Sequence, residues 1–262
     1  KMRDFAKENS IDFWEGKGVC HQIMMENYVC PGELIFGADS HTCSYGALGA
    51  FGTGVGCTDL LYGMVTGKSW VLVPETVKFN LVGKLPEGVY ARDLILTIIG
   101  TIGANGCNYQ VMEFTGEGAK TLSISERMVL CNMAVEAGAK TGIFEPDEKA
   151  IEYLESHGRK PKALFKSDPD AVYAREYTFD LSKIRPVVAK PDFVDNLVPA
   201  EEVRGVKIDE AFLGSCNNGR IEDLRVGASI LKGRKVADKV RFLVVPASQT
   251  VYLQALKEGL ID

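Results

Sequence analysis

The sequence lacks the features that mark several other classes of protein. Basic residues are not in excess, since 30 lysines and arginines stand against 35 aspartates and glutamates, a net charge of −5. This balance gives no electrostatic reason to expect nucleic acid or an anionic membrane as the main partner. No apolar run approaches the roughly 18 residues of a membrane-spanning helix. The longest, at 94–102, is interrupted by Thr97 and Gly100.

The cysteines do not form a disulfide framework. Seven are present, an odd number, and none is in Cys-x-x-Cys spacing. We therefore expect reduced thiols in a cytoplasmic protein. The charged N-terminus has no apolar core of a secretion signal. The chain starts at Lys1, before Met2, and stops inside a helical pattern at 249–258. We expect it to be a fragment, truncated at both ends.

What is present is the composition of a globular protein with extra glycine. Hydrophobic residues make up 46% and charged residues 25% of the 262 residues, which excludes a disordered chain. The 27 glycines are about a tenth of the 262 residues, above the usual share of about 7%. They indicate tight turns and places where the backbone approaches a ligand closely.

Hydrophobic periodicity predicts an α/β fold. A capping box of Ser123 and Glu126 begins one helix, and Gly138 can end it. The strand and helix alternation near the C-terminus implies a parallel sheet. The prolines at 184–200 suggest a domain boundary. The predicted strands lie at 33–38, 70–82, 211–214 and 240–245, and the predicted helices at 91–103, 123–138, 219–232 and 248–258.

A first polar cluster follows a predicted strand at 37–43. Asp39, Ser40 and His41 are capable of acid/base or hydrogen-bonding chemistry, and glycines follow closely. A polar turn in which Asp39 and Ser40 cap a helix is the simpler interpretation. Against it, the chain has only three histidines, and His21 lies on another short apolar segment. A carboxylate beside each histidine would fix its tautomer and make it a proton donor.

Two further clusters carry candidate residues. Asn132 and Glu136 are four residues apart and so share one helix face, although a solvated face is an equally good interpretation. Cys216 lies in the turn between a predicted strand and helix, where the helix amide groups stabilise a thiolate. That thiol could be a nucleophile or a soft-metal ligand, with Arg220 available for a carboxylate. The alternative is a small buried cysteine in an ordinary turn capped by an asparagine.

Four segments in fixed order resemble motifs of the aconitase superfamily. They are His-Gln-Ile-x-x-Glu-Asn-Tyr at 21–28, Asp-Ser-His-Thr at 39–42, Cys-Asn-Met-x-x-Glu-x-Gly at 131–138 and Gly-Ser-Cys-x-Asn at 214–218. Within the superfamily they are most similar to large subunits of isopropylmalate isomerases and homoaconitases of the archaeal type. The resemblance spans nearly the whole chain.

The resemblance implies a fold and an activity. The fold would be aconitase-like α/β/α domains with parallel or mixed sheets, incomplete in this fragment, at 1–74, 75–188 and 189–262. The activity would be a hydro-lyase that converts 2-isopropylmalate to 3-isopropylmalate in leucine biosynthesis and also accepts citramalate. The alternative within the superfamily is a homoaconitase acting on homocitrate or homoaconitate. The substrate would be a dicarboxylate or tricarboxylate, and the partner a small swivelling subunit.

The resemblance also implies a four-iron, four-sulfur cluster held by three cysteines, with one iron open to substrate. Cys216 matches the first cluster ligand, and the two further cysteine ligands are expected beyond Asp262. Asn132 and Asn218 match residues close to the cluster. Substrate-binding residues of the family are matched by Ser40 and Arg220.

The implied catalytic residues form two carboxylate–histidine pairs, His21 with Asp39 and His41 with Glu136. Each pair would protonate or orient the departing hydroxide, because dehydration builds negative charge that an imidazolium can stabilise.

The chain departs from the family pattern in ways that bear on activity. Asn217 replaces a threonine, and the downstream Cys-x-x-Cys and the upstream Asp-His motif are absent. We expect this fragment alone to be inactive and free of the cluster. Two rivals remain from the residues themselves. One is a thiol hydrolase that uses Cys216 with His21 or His41. The other is a nucleic-acid-binding module, which the net charge of −5 disfavours.

Overall fold

The computed structural model describes residues 1–261, which contain both α-helices and β-strands. The α-helices are α1 (Met2–Glu8), α2 (Cys20–Asn27), α3 (Cys57–Thr66), α4 (Ala91–Ile102), α5 (Glu117–Thr121), α6 (Ile124–Asn132), α7 (Glu148–Ser156), α8 (Ile221–Leu231) and α9 (Gln249–Lys257). The strands are β1 (Leu34–Gly37), β2 (Phe51–Gly54), β3 (Thr76–Val82), β4 (Val111–Thr115), β5 (Thr141–Phe144), β6 (Arg175–Asp180), β7 (Val187–Ala189), β8 (Leu197–Pro199), β9 (Glu210–Leu213) and β10 (Arg241–Val244). Short 3-10 helices lie at Ser40–Leu48, Met133–Ala137, Leu181–Lys183 and Ala200–Val203.

The chain forms two compact units. The smaller unit combines Lys1–Tyr28 with the chain from Ile208 onward, and the larger unit is Val29–Lys207. The three-part division at 74 and 188 stays a prediction.

The larger unit is built on a four-stranded sheet in the order β5-β4-β3-β6, with every neighbouring pair parallel. Alternate residues of β3 are fully buried, and Phe79 stacks against neighbours on β4 and β6. Parallel strands need cover on both faces. The predicted helix at 91–103 is confirmed as α4, whose apolar residues are buried.

A second parallel pair is β1 with β2, and the 3-10 helix Ser40–Leu48 connects the two strands. This helix packs against β2, β5 and α6. A side chain at Gly46 would overlap the carbonyl oxygen of Gly142, so the approach of the 3-10 helix to β5 requires glycine. The glycines of this region therefore serve contacts between backbones.

The smaller unit has the predicted β-α-β-α order, β9-α8-β10-α9, and β9 and β10 are parallel. Apolar residues of the two helices form its core, with Leu213 of β9 packed against them. Ser248 caps α9 by accepting a hydrogen bond from the Val251 amide.

One sequence-based expectation differs from the structure in detail. The strand expected at 70–82 begins only at Thr76. Pro74 precedes it, and proline cannot donate a hydrogen bond to a neighbouring strand. The proline-rich stretch at 184–200 contains the antiparallel strands β7 and β8, both of which contact α4. Among the described helices, none is long and apolar enough to cross a membrane.

Candidate active site

The larger unit places three predicted site residues at the carboxyl end of β1, where parallel sheets bind their ligands. Asp39 caps the 3-10 helix, because its Oδ1 accepts a hydrogen bond from the His41 amide at 2.8 Å. The capping interpretation of Asp39 is therefore correct. It does not exclude a chemical role, because capping also fixes the backbone that carries the His41 side chain.

His41 lies between two carboxylates. Its Nε2 is 3.5 Å from Oε1 of Glu136, and its Nδ1 is 3.6 Å from Oδ1 of Asp39. The Ser40 hydroxyl is also 3.3 Å from Nδ1. The structure thus brings together four predicted site residues, Asp39, Ser40, His41 and Glu136. His41 and Glu136 form the pair that the resemblance implied.

Each member of this pair changes the pKa of the other. Hydrogen bonding to the Glu136 carboxylate raises the pKa of His41, against the opposing effect of burial, and Asp39 adds to the rise. The His41 interaction lowers the pKa of Glu136, and the charge of Arg92 contributes. The arrangement therefore favours an imidazolium beside an ionised carboxylate, which is a proton donor held in one orientation.

Asn132 and Glu136 both contact the 3-10 helix Ser40–Leu48. The Asn132 side chain is 1% exposed and donates a hydrogen bond to the Ser44 hydroxyl at 2.9 Å.

Both predicted capping contacts of Ser123 and Glu126 are present, and Gly138 ends the segment with φ of 79°. The helix is α-helical only to Asn132 and continues as a 3-10 helix to Ala137.

A cavity of about 600 Å³ adjoins Ser40. Lys140, Trp70 and Val135 are among the residues that line it, so its wall combines a basic residue with apolar ones. A mixed wall of this kind suits a small organic acid, since the ammonium group attracts a carboxylate and the apolar side chains accommodate an alkyl group. Sequence reasoning missed Lys140. The only available signal was its place two residues after Gly138, at the end of the recognised motif.

The smaller unit contains the other predicted residues. His21 is the second residue of α2 and is 2% exposed. Its predicted partner, Asp39, belongs to the larger unit and contacts His41. The pairing of His21 with Asp39 stays a prediction.

Cys216 lies in the turn between β9 and α8, where the sequence predicted it, and it is partly exposed. The turn passes through Ser215 with φ of 84°. Asp223 caps α8, since its carboxylate accepts hydrogen bonds from the Arg220 amide at 3.0 Å and the Asn218 side chain at 2.8 Å. The expectation that an asparagine caps this helix is therefore wrong, because the reciprocal contact from within the first turn fills that role.

Arg220 is 3% exposed, and its guanidinium donates to the backbone carbonyl of Asn217. It therefore braces the turn that carries Cys216. Its predicted contact with substrate stays a prediction.

Comparison with known proteins decides the family. A model of the aconitase family (aconitate hydratase) matches residues 1–204 and 196–262. This chain belongs to the aconitase family. It is 53% identical to the 3-isopropylmalate dehydratase large subunit of Hydrogenobaculum sp. over its whole length, which is 62% of that relative. It is 54% identical to the probable 3-isopropylmalate dehydratase large subunit of Methanothermobacter thermautotrophicus, again over its whole length and 63% of that relative.

A third relative, 3-isopropylmalate dehydratase large subunit 1 of Archaeoglobus fulgidus, is 51% identical over the whole chain and 63% of its own length. The aconitase-family chain thus spans less than two thirds of these relatives. The predicted family and the α/β fold with parallel sheets are confirmed.

The aconitase family implies an iron–sulfur cluster, so we tested whether the described residues fit one. They contain no group of three or more His, Cys, Asp or Glu side chains placed to hold a metal. The smaller unit, 1–28 with 208–262, contains only Cys20 besides Cys216. In the larger unit, burial raises the pKa of Cys107 to about 11 and that of Cys131 well above its ordinary value. Such thiols stay protonated and are poor ligands. Within 1–261 the cluster site is therefore not complete.

The two cluster cysteines that the sequence did not supply were expected beyond Asp262. Asp262 itself lies outside the described residues. The described residues therefore supply Cys216 as a candidate ligand but not the ligand set that the family implies, and the position of the other two cysteines stays a prediction.

Proposed function

We propose that this chain is part of the large subunit of a hydro-lyase that isomerises 2-isopropylmalate to 3-isopropylmalate by removing and re-adding water, in leucine biosynthesis. The observation that carries the proposal is 51–54% identity over the whole chain to proteins named 3-isopropylmalate dehydratase large subunit. The contact of His41 with Glu136 supports it, because the reaction needs a proton donor for the departing hydroxide.

The residues of the larger unit suit that chemistry. Glu136 at Nε2 stabilises the protonated ring of His41, and Nδ1 is 3.3 Å from the hydroxyl of Ser40, a residue that lines the cavity. We assign to His41 the donation of a proton from Nδ1 to the leaving hydroxide. Ser40 would hold a substrate carboxylate.

The remaining assignments concern residues of both units and the parts of the protein beyond this chain. Cys216 is proposed as one cluster ligand, with Asn132 and Asn218 near the cluster, Arg220 as a substrate contact and His21 with Asp39 as a second acid–base pair. Two further cysteines would come from the third or more of the relatives' length that this chain does not match. Because the described residues do not complete the site, we derive no step through the cluster.

The relatives' designation as large subunits supports a small subunit as partner, and we propose a hetero-oligomer of that kind. The described cysteines form no disulfide bonds, which supports a cytoplasmic location. Neither the homoaconitase nor the thiol-hydrolase alternative is favoured, since the names of these relatives specify 3-isopropylmalate.

The test is turnover by the full-length protein, assembled with its small subunit and reconstituted with iron and sulfide. We expect conversion of 2-isopropylmalate, with citramalate a slower substrate and homocitrate unconverted. Preferential conversion of homocitrate would replace the proposal by the homoaconitase alternative. Hydrolysis that needs Cys216 but no iron would replace it by the thiol hydrolase.

A further inference from the structure

Helix α2 buries two polar side chains that the proposed chemistry does not use. Gln22 is 7% exposed and Glu26 is 8% exposed. They are one helical turn apart, and the Gln22 amide donates a hydrogen bond to Oε1 of Glu26 at 2.9 Å. A buried carboxyl group is costly unless it has hydrogen-bond partners, so the partners of Glu26 bear on the position of α2, the helix that carries His21.

The second partner of Glu26 lies far away in the sequence. The Ser248 hydroxyl donates to the same Oε1 at 2.7 Å, across 222 residues of chain. Ser248 is 2% exposed and is also the cap of α9. The serine thereby joins the helix that carries His21 to the turn that follows β10.

That turn also holds the Cys216 segment. The Ala247 amide donates to the carbonyl of Gly219, at the end of the Cys216 turn, at 2.8 Å. The Ala247 carbonyl accepts from the Val19 amide, at the start of α2, also at 2.8 Å. This approach requires glycine at position 18, because a Cβ atom there would be 2.6 Å from the Ala247 carbonyl oxygen. Two adjacent residues, 247 and 248, therefore bind both α2 and the Cys216 turn.

We propose that Glu26 and Ser248 are positioning residues, whose hydrogen bond fixes His21 relative to Cys216 within the smaller unit. The inference rests on the proposed function, in which His21 and Cys216 act at one site. Neither residue touches substrate. Their effect passes through α2, whose N-terminal turn is tied to Ala247 while Glu26, near its other end, is tied to Ser248.

The test uses the full-length enzyme with its small subunit and the variants Ser248→Ala, Glu26→Ala, Glu26→Gln and the Ser248→Ala/Glu26→Ala double variant. Ser229→Ala is the matched control, since Ser229 is exposed on α8 and its hydroxyl donates to the Val226 carbonyl of the same helix. We expect Ser248→Ala and Glu26→Ala to lower kcat for 2-isopropylmalate about tenfold, with KM changed less than twofold. Glu26→Gln keeps an acceptor oxygen and should recover part of the loss. The double variant should be no worse than Glu26→Ala.

A second readout does not depend on turnover. Hydrogen–deuterium exchange at the imidazole carbon, followed by mass spectrometry, reports the surroundings of each histidine separately. In Ser248→Ala, exchange at His21 should accelerate at least threefold while His41 and His157 stay unchanged. Unchanged exchange at His21, or accelerated exchange with an unchanged kcat, would overturn the inference. If the wild-type enzyme converts no malate derivative, the proposed function fails, and accelerated exchange at His21 would still support the hold of Ser248 on α2.

Discussion

The two compact units differ in how much of their chemistry they contain. In the larger unit the acid–base pair is complete, since His41 and Glu136 touch and shift each other's pKa in opposite directions. In the smaller unit Cys216 has no second and third ligand among the described residues. A hydrogen-bonded pair needs only two neighbouring side chains, whereas a cluster needs cysteines from several segments. We therefore expect the larger unit and the smaller unit to respond differently to iron reconstitution and to substitutions.

The largest difference concerns iron. Residues 1–262 alone, reconstituted anaerobically with iron and sulfide, should hold well below one cluster per chain, because the described residues contain no group of three side chains placed to hold a metal. The number of clusters per chain is measured by iron and sulfide analysis and by the visible absorbance of the cluster. The full-length protein is the positive control. A stoichiometric cluster on residues 1–262 would remove the contrast between the units.

Replacing His41 tests whether the larger unit performs the proton transfer. In the assembled enzyme, His41→Asn should lower kcat about 10²- to 10⁴-fold, the usual contribution of a general acid. His157→Asn is the control, since the His157 ring bonds to the Tyr153 carbonyl at the end of α7. A loss below threefold in His41→Asn would show that another group donates the proton.

Gly46→Ala tests the packing that holds the pair. The new methyl group would overlap the Gly142 carbonyl oxygen, and because both are backbone atoms neither can turn away. We expect a loss of about 3 kcal/mol in the free energy of unfolding. Gly88→Ala is the control, with open space around it and φ of 77°. It should cost about 1 kcal/mol. Equal losses in urea unfolding would contradict the close approach.

Glu136→Gln should remove a pH-dependent stabilisation. The pKa of His41 is raised from its ordinary 6.5, so its contribution is present below 6.5 and is lost as pH rises through the folded value. The pKa of Glu136 is lowered from 4.5, so its contribution is present above 4.5 and is lost as pH falls through the folded value. The difference in unfolding free energy between wild type and variant should be largest between pH 4.5 and pH 6.5.

An NMR titration checks the same variant directly. The pKa of His41 should fall in Glu136→Gln, while that of His157 stays unchanged. A pKa of His41 that is unaffected would mean that Glu136 does not hold the imidazolium.

The smallest effect is expected at the cap of α8. Asp223→Ala removes the acceptor for Arg220 and Asn218 and should destabilise the smaller unit by about 1 kcal/mol. Glu222→Ala is the matched control, an acidic residue of the same helical turn that is not the capping group. Equal losses in the two variants would show that charge near the helix terminus matters more than the cap.

Local sequence signals predicted much of the fold correctly. The Ser123–Glu126 capping box and the left-handed Gly138 depend on a few adjacent residues, and both are present. The change to a 3-10 helix at Met133 was missed. That segment contacts the 3-10 helix Ser40–Leu48 and β5, contacts that no local pattern encodes.

The candidate site was predictable in its residues more than in its contacts. The motif spacing identified His41 and Glu136, and the structure places them 3.5 Å apart. The bracing of the Cys216 turn by Arg220 could not be read from the sequence, because it depends on how the turn folds back on itself. Lys140 was missed for a similar reason, since only the tertiary structure brings it to the same cavity as Ser40.

Under the proposed function, this chain is part of an isopropylmalate isomerase in which the His41–Glu136 pair moves the proton. The most direct measurement is the steady-state interconversion of 2- and 3-isopropylmalate by the full-length enzyme with its small subunit, wild type beside Glu136→Gln. The proposed function predicts turnover by the wild type and a drop in kcat of at least tenfold in the variant. Absence of turnover with 2-isopropylmalate, or an equal kcat in the two proteins, would contradict it.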